Sequence, residues 1–203
     1  MRVFFVTSNA TKFAECQQIK VELASARPSL VNNVEIRQHD VRINEVLVPK
    51  LYELVRLKAI EAYRLVRQPC VVEHGGLVLQ AWRSESEMRG AEMAVGRVVW
   101  DAVGTRMCQF LREWETRSAE AHSSIGYCDG RRIHVFQSFV PGIVIEGPRG
   151  NRGLRWDSIF RPIDDDLTFG EMSEEQRRRK SPERQAWLAF FESLSRASRA
   201  MAP

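Results

Sequence analysis

Residues 123–140 read SSIGYCDGRRIHVFQSFV, and no other stretch restricts the fold as strongly. Two β-rich runs flank Asp129-Gly130, a dipeptide that supplies the positive φ a tight turn requires. The stretch predicts an antiparallel hairpin. The N-terminal part reads differently. RVFFV (2–6) is a short apolar run of strand type that opens into Thr7-Ser8-Asn9. From Thr11 onward, Phe13, Cys16, Ile19 and Leu23 recur at helical spacing, with Asn9 or Thr11 as the cap and Pro28 ending the region. VEIRQHDV alternates as a second strand. Helices alternate with strands early and a hairpin comes late. This order predicts an α/β (mixed) or α+β fold built on a mixed sheet.

The remaining segments fit that frame. Leu51, Leu54, Val55, Ala59, Ala62 and Leu65 share one face of a helix from Pro49 to Val66, and Pro49 suits its first turn. CVVE and LVLQAW read as strands on either side of a turn at Gly75-Gly76, and SESEMRGAE as a polar loop. Val99, Val103, Met107, Phe110 and Trp114 predict one amphipathic helix. GIVIE is a further strand and PRGNRG a loop. A last helix follows Pro182, with Ala186, Trp187, Phe190, Phe191 and Leu194 apolar. There are no internal repeats and no dividing linker, so 1–203 is expected to be a single domain, with 197–203 as a flexible tail.

The chain has 203 residues, 44% hydrophobic and 28% charged, a globular balance. No apolar run approaches the roughly 20 residues of a membrane span. The start shows neither a secretory h-region nor an Arg/Ser-rich leader, which makes the cytoplasm the expected location, with organelle import as the alternative. Cys16, Cys70, Cys108 and Cys128 form no C-x-x-C pair, and a reducing compartment fits them. The net charge is +4. Its basic runs, RGNRGLR and QRRRKSPER, read either as solvated surface or as phosphate-facing groups. They would suit a polyphosphate, an RNA or an acidic protein.

Two stretches carry the chemistry. TSNATK sets Thr7, Ser8, Asn9 and Lys12 between a strand and a helix. Hydroxyls, an amide and free N–H groups at a helix N-terminus form an anion site, and Lys12 reaches it as a point charge. A plain N-cap followed by a surface lysine is the other reading. VVEHGGL (71–77) ends an apolar run in an acid, an imidazole and two glycines, as a strand delivering polar groups to a cleft would. His39, His122 and His134 show no metal-ligand spacing.

Taken in order, these motifs resemble the inosine triphosphate pyrophosphatase family. Its opening T-[SG]-N-x-x-K-x-x-E is matched by Thr7, Ser8, Asn9, Lys12 and Glu15. Its "KA" helix resembles Lys58-Ala59, and its V-x-E-D-[TS]-G-L resembles VVEHGGL. Its G-x-I…PRG resembles Gly142, Ile143 and Pro148-Arg149-Gly150. Its F-G-W-D-P-x-F resembles LRWDSIF, and its T-[FY]-A-E-M resembles Thr168–Met172. The resemblance implies a two-lobed fold with a long central mixed sheet and a nucleotide cleft between the lobes. It implies a homodimer that, with Mg2+, cleaves non-standard purine nucleoside triphosphates to the monophosphate and pyrophosphate. Thr7, Ser8, Asn9, Lys12 and Lys58 would hold phosphate. Leu154, Trp156, Asp157 and Arg177 would meet the base, although core packing and a loop cap also account for Trp156 and Asp157.

The match breaks at functional positions. The family's catalytic aspartate falls on His74 and the next hydroxyl residue on Gly75. Imidazole is a poor ligand for hard magnesium, though a neutral histidine with its usual pKa of roughly 6.5 can take a proton from water. Glu73, adjacent on a strand, should face the other way. Glu45 is the candidate for a second metal ligand, with Ile43 as the alternative occupant. Where the family opens its last helix with S-H-R, this chain has Ser181, Pro182 and Glu183, while Arg155 replaces glycine and Leu154 the base-stacking phenylalanine. Two readings follow. One is a degenerate member that keeps the phosphate loop and acts through a protein partner, or more weakly RNA. The other is an active pyrophosphatase with altered metal or substrate.

Overall fold

The computed structural model describes residues 1–44, 46, 48, 50–81, 94–111, 116–153 and 155–200. The strands are β1 (Arg2–Val6), β2 (Glu35–His39), β3 (Cys70–Leu79), β4 (Ala94–Val95), β5 (Ser118–Cys128), β6 (Ile133–Val144) and β7 (Phe160–Pro162). They form one mixed sheet in the order β2-β1-β3-β5-β6-β7, with β4 against β3. β1 runs parallel to β2 and β3, and every other pairing is antiparallel. The expected mixed α/β architecture is therefore present.

The hairpin turns where the Asp-Gly pair predicts. Asp129 Oδ1 accepts from the backbone N–H groups of Arg131 and Arg132, each at 2.7 Å, and Gly130 takes φ 95°. Two expected breaks are absent. Gly75-Gly76 is no turn, because β3 passes through it in unbroken register, Gly75 opposite Ser123 and Gly76 opposite His122. GIVIE does not begin a new strand either, since β6 continues through Pro141 to Val144. In both cases the long partner β5 supplies a continuous ladder, and local turn chemistry yields to it.

The helices are α1 (Ala10–Ala26), α2 (Pro28–Val31), α3 (Leu51–Val66), α4 (Arg97–Val103), α5 (Met107–Phe110), α6 (Glu174–Lys180) and α7 (Pro182–Ala200). The helix expected across 99–114 is interrupted. Gly104 at φ 56° ends α4, a 3-10 turn follows, and α5 is short. Trp114, Pro49, the SESEMRGAE stretch and the last three residues lie outside the described residues.

Three apolar clusters hold the sheet. On one face, α1 and α7 bury Ile19, Trp187, Phe190 and Phe191 against Val3 and Phe5. Complete burial of an aromatic such as Trp187 is worth about 2–3 kcal/mol. On the other face, Val55, Ala59 and Ala62 of α3 meet Val72 and Cys128. There Gly126 lets the helix approach, since a Cβ would stand 2.7 Å from Val55. A separate cluster at the far ends of β3 and β5 joins Leu77, Leu79 and Ala121 to Trp156, Phe160 and Phe169. Glu73 to Gly76 fall at the junction between these cores, and Glu73, His74 and Gly75 line the cavity that opens there.

Candidate functional site

At the C-terminal end of β1 the chain opens a cavity of about 260 Å³. The sequence builds its first wall locally. Thr7 Oγ1 accepts from the Asn9 N–H at 3.1 Å, and Asn9 Oδ1 caps α1 by accepting from the Lys12 N–H at 3.2 Å. Thr7, Ser8, Asn9 and Lys12 line this wall. Lys58 from α3 and His74 from β3 line it from the other side, so residues far apart in the sequence share one cavity. Arg42 and Arg155 complete its basic lining. Nothing in the sequence singled out Arg42, and Arg155 stood out as an arginine in the family's glycine position, able to stack on a base. Arg155 carries a further signal, a φ of 48°.

Alternation along β3 sends its two polar residues to different partners. Val72 and His74 share the face under α3. Glu73 faces α1 and α7, where Lys12 Nζ lies 3.1 Å from Oε1 and Trp187 Nε1 donates to Oε2 at 3.2 Å. Glu73 is nearly inaccessible, its side chain 2% exposed. Its carboxylate orients Lys12 at the rim of the cavity.

Behind the cavity lies an acid-rich knot around Arg177. The Arg177 Nε and Nη1 groups donate to Asp157 Oδ2 and Glu15 Oε1, each at 2.9 Å, and Nη2 is 3.9 Å from Glu183 Oε1. Burial pushes the Glu15 carboxyl up to about 7, with Glu183 adding to the shift and Arg177 opposing it. Burial also raises Glu183, whose Oε2 has no hydrogen-bond partner among the described residues. Burial alone would lower Arg177, but Glu183, Asp157 and Glu15 outweigh it and hold the guanidinium charged. Glu183 Oε1 lies 3.6 Å from where a Gly75 Cβ would stand, in ordinary van der Waals reach of β3.

The knot settles how the basic run 177–180 is used. Arg178 pairs with Glu22, Arg179 with Glu175 and Lys180 with Asp165, and Arg177 is held as above. The run is tied into the chain's own acids, and its helix α6 begins with a capping box from Ser173 and Gln176. Trp156 packs edge-on to Phe160 within the core, at 5.9 Å between ring centres, and lines neither this cavity nor its neighbour. Asp157 is anchored to α1 through Arg177 and Glu15. Arg177 and Glu15 line a second cavity of about 680 Å³ between α1 and α6. Leu154 and Glu45 lie outside the described residues.

Magnesium asks for several oxygen ligands at octahedral positions. The described lining offers one carboxylate, Glu73, already shared between Lys12 and Trp187, and one imidazole, His74. Among the described residues no group of three His, Cys, Asp or Glu side chains could hold a metal ion. This donor set does not fit magnesium.

The Ham1 family profile matches residues 3–193. The chain belongs to the Ham1 family. It is 29% identical over 194 residues to a dITP/XTP pyrophosphatase of Methanopyrus kandleri, covering 95% of each chain. It is also 29% identical over 178 residues to an inosine triphosphate pyrophosphatase of Schizosaccharomyces pombe, covering 86% of this chain and 85% of that one. A HAM1 protein from Coxiella burnetii has the same fold at 19% identity, with a TM-score of 0.73 over 96% of this chain and 99% of the other. The Staphylococcus aureus Ham1 protein superposes with a TM-score of 0.72 at 18% identity. Among the described residues no helix is long and apolar enough to cross a membrane.

Proposed function

We propose that this Ham1 protein binds a nucleoside triphosphate in the basic cavity, has lost magnesium-dependent hydrolysis, and acts through a protein partner or a second copy of itself. The observation that carries this reading is His74, which lines the cavity beside Thr7–Lys12 and Lys58 where the family motif has its carboxylate. The phosphate residues are kept, and the group that would bring charge and a hard ligand to the reaction is replaced. Thr7, Ser8, Asn9, Lys12 and Lys58 would hold the phosphates. Arg177, which lines the neighbouring cavity and is held by Asp157, would stand toward the base, with Glu183 unfavourable to a carbonyl there. The partner is supported by the edge of β6. Its residues before Gly142 pair with no strand on the outer side among the described residues, and Phe139 is 56% exposed there.

The alternative is a working pyrophosphatase with a different metal or substrate, in which neutral His74 takes the proton from water. The named activities of the relatives and the preserved cavity favour it. Pyrophosphate release decides between them. Wild type, His74→Asp and His74→Ala are assayed with magnesium and with manganese, across ITP, XTP, dUTP and the common nucleoside triphosphates. A silent wild type with partial turnover in His74→Asp is expected. Robust wild-type turnover abolished by His74→Ala overturns the proposal. Calorimetry on the wild type should show triphosphate binding, weakened about tenfold or more in Lys12→Ala.

A further inference from the structure

Among the described residues two non-glycines adopt the left-handed backbone region, Arg67 at φ 54° and Arg155 at φ 48°. Arg67 closes α3, a place where that conformation is common. Arg155 has no such excuse. It opens the 3-10 turn Arg155–Ser158, which a glycine would form without strain, and it lines the cavity. Strain of this kind persists where the surroundings or a ligand make use of it.

The company Arg155 keeps is equally uneven. Lys12, Arg42 and Lys58 line the same cavity, and among the described residues Glu73 is the one carboxylate lining it. Lys12 is paired with Glu73, whereas among the described residues neither Arg42 nor Arg155 has an ion-pair partner. Like charges gathered on one concave wall repel one another and focus a positive field into the opening. A multiply charged anion relieves that repulsion. A divalent cation would add to it, and the lining offers little to hold one.

We infer that Arg155 is a phosphate clamp and that this cavity binds triphosphate through its own cations, without a divalent metal. The inference rests on the nucleotide-binding reading above and deepens it. The left-handed turn presents a guanidinium to the bound polyphosphate, and a forked donor suits phosphate oxygens better than a point charge.

The test is calorimetry on the full chain with two probes, inorganic tripolyphosphate and a non-hydrolysable nucleoside triphosphate, each in EDTA and in magnesium. Affinity in EDTA should equal or exceed that in magnesium for both probes. Arg155→Gly keeps the backbone conformation, so its thermal stability should match or exceed wild type while affinity for both probes falls about tenfold or more. Arg155→Lys should recover part of that loss. Magnesium raising affinity tenfold or more, or wild-type binding by Arg155→Gly, overturns the clamp and leaves the nucleotide reading standing. Failure of both probes to bind in either buffer overturns the clamp and the nucleotide reading together.

Discussion

The two polar regions at the head of α1 are made of similar groups and do different work. The phosphate loop is local. Its hydrogen bonds span two or three residues, it faces solvent, and its charge is unbalanced toward cations. The knot around Arg177 is non-local. It joins Glu15, Asp157, Arg177 and Glu183 across 20 and 162 residues of chain, with Asp157 and Glu183 buried and Glu15 and Arg177 partly so. An exposed cationic surface waits for an anion. A buried set of opposite charges chiefly compensates itself, and removing one member leaves the others without solvent or partner.

That contrast is sharpest at Arg177. Arg177→Ala strands Asp157, whose side chain is 1% exposed, together with Glu15 and Glu183. The expected loss is about 3–5 kcal/mol of stability by urea denaturation. A loss under about 1 kcal/mol would mean that the knot is poised for a ligand and pins little of the fold.

The pH dependence comes next. In the unfolded chain Glu15 titrates near 4.5, and in the fold near 7. Between these values the folded state holds the extra proton, so the stabilisation present below pH 4.5 is lost as pH rises through about 7. Denaturation at a series of pH values should show a fall of roughly 1–3 kcal/mol across that window. Glu15→Gln should flatten it. Arg177, Glu183 and Glu73 face the same carboxyl, so Glu183→Gln should reduce the fall as well. A stability curve that rises across the window would contradict the assignment.

The smallest effect is expected two residues from the largest. Arg179 is 73% exposed and pairs with Glu175 one helical turn away. Arg179→Ala should change stability by less than about 0.5 kcal/mol. Comparable losses from Arg177→Ala and Arg179→Ala would erase the distinction between knot and surface.

Much of this was legible in the sequence. The Asp129-Gly130 turn, the TSN loop capped by Asn9, and the apolar face of α7 rest on contacts within a few residues, where spacing and turn chemistry decide the outcome. So does the opposite facing of Glu73 and His74, which follows from the period of a strand. The tertiary structure decided the rest. Gly75-Gly76 carries turn-type residues, yet the ladder to β5 holds it straight, because a long antiparallel partner pairs it residue for residue from Cys70 to Leu79. RRRK looks like a basic patch, yet each member finds an acid of this chain at a distance that only the folded α6 brings within reach. The sequence by itself determined the Asp129-Gly130 turn, helices α1, α3 and α7 and the phosphate loop, whose interactions are local. Which charges stay open to a ligand and which are spent on the fold was decided by packing, since burial sets the cost of every unpaired charge and burial is a property of the whole chain.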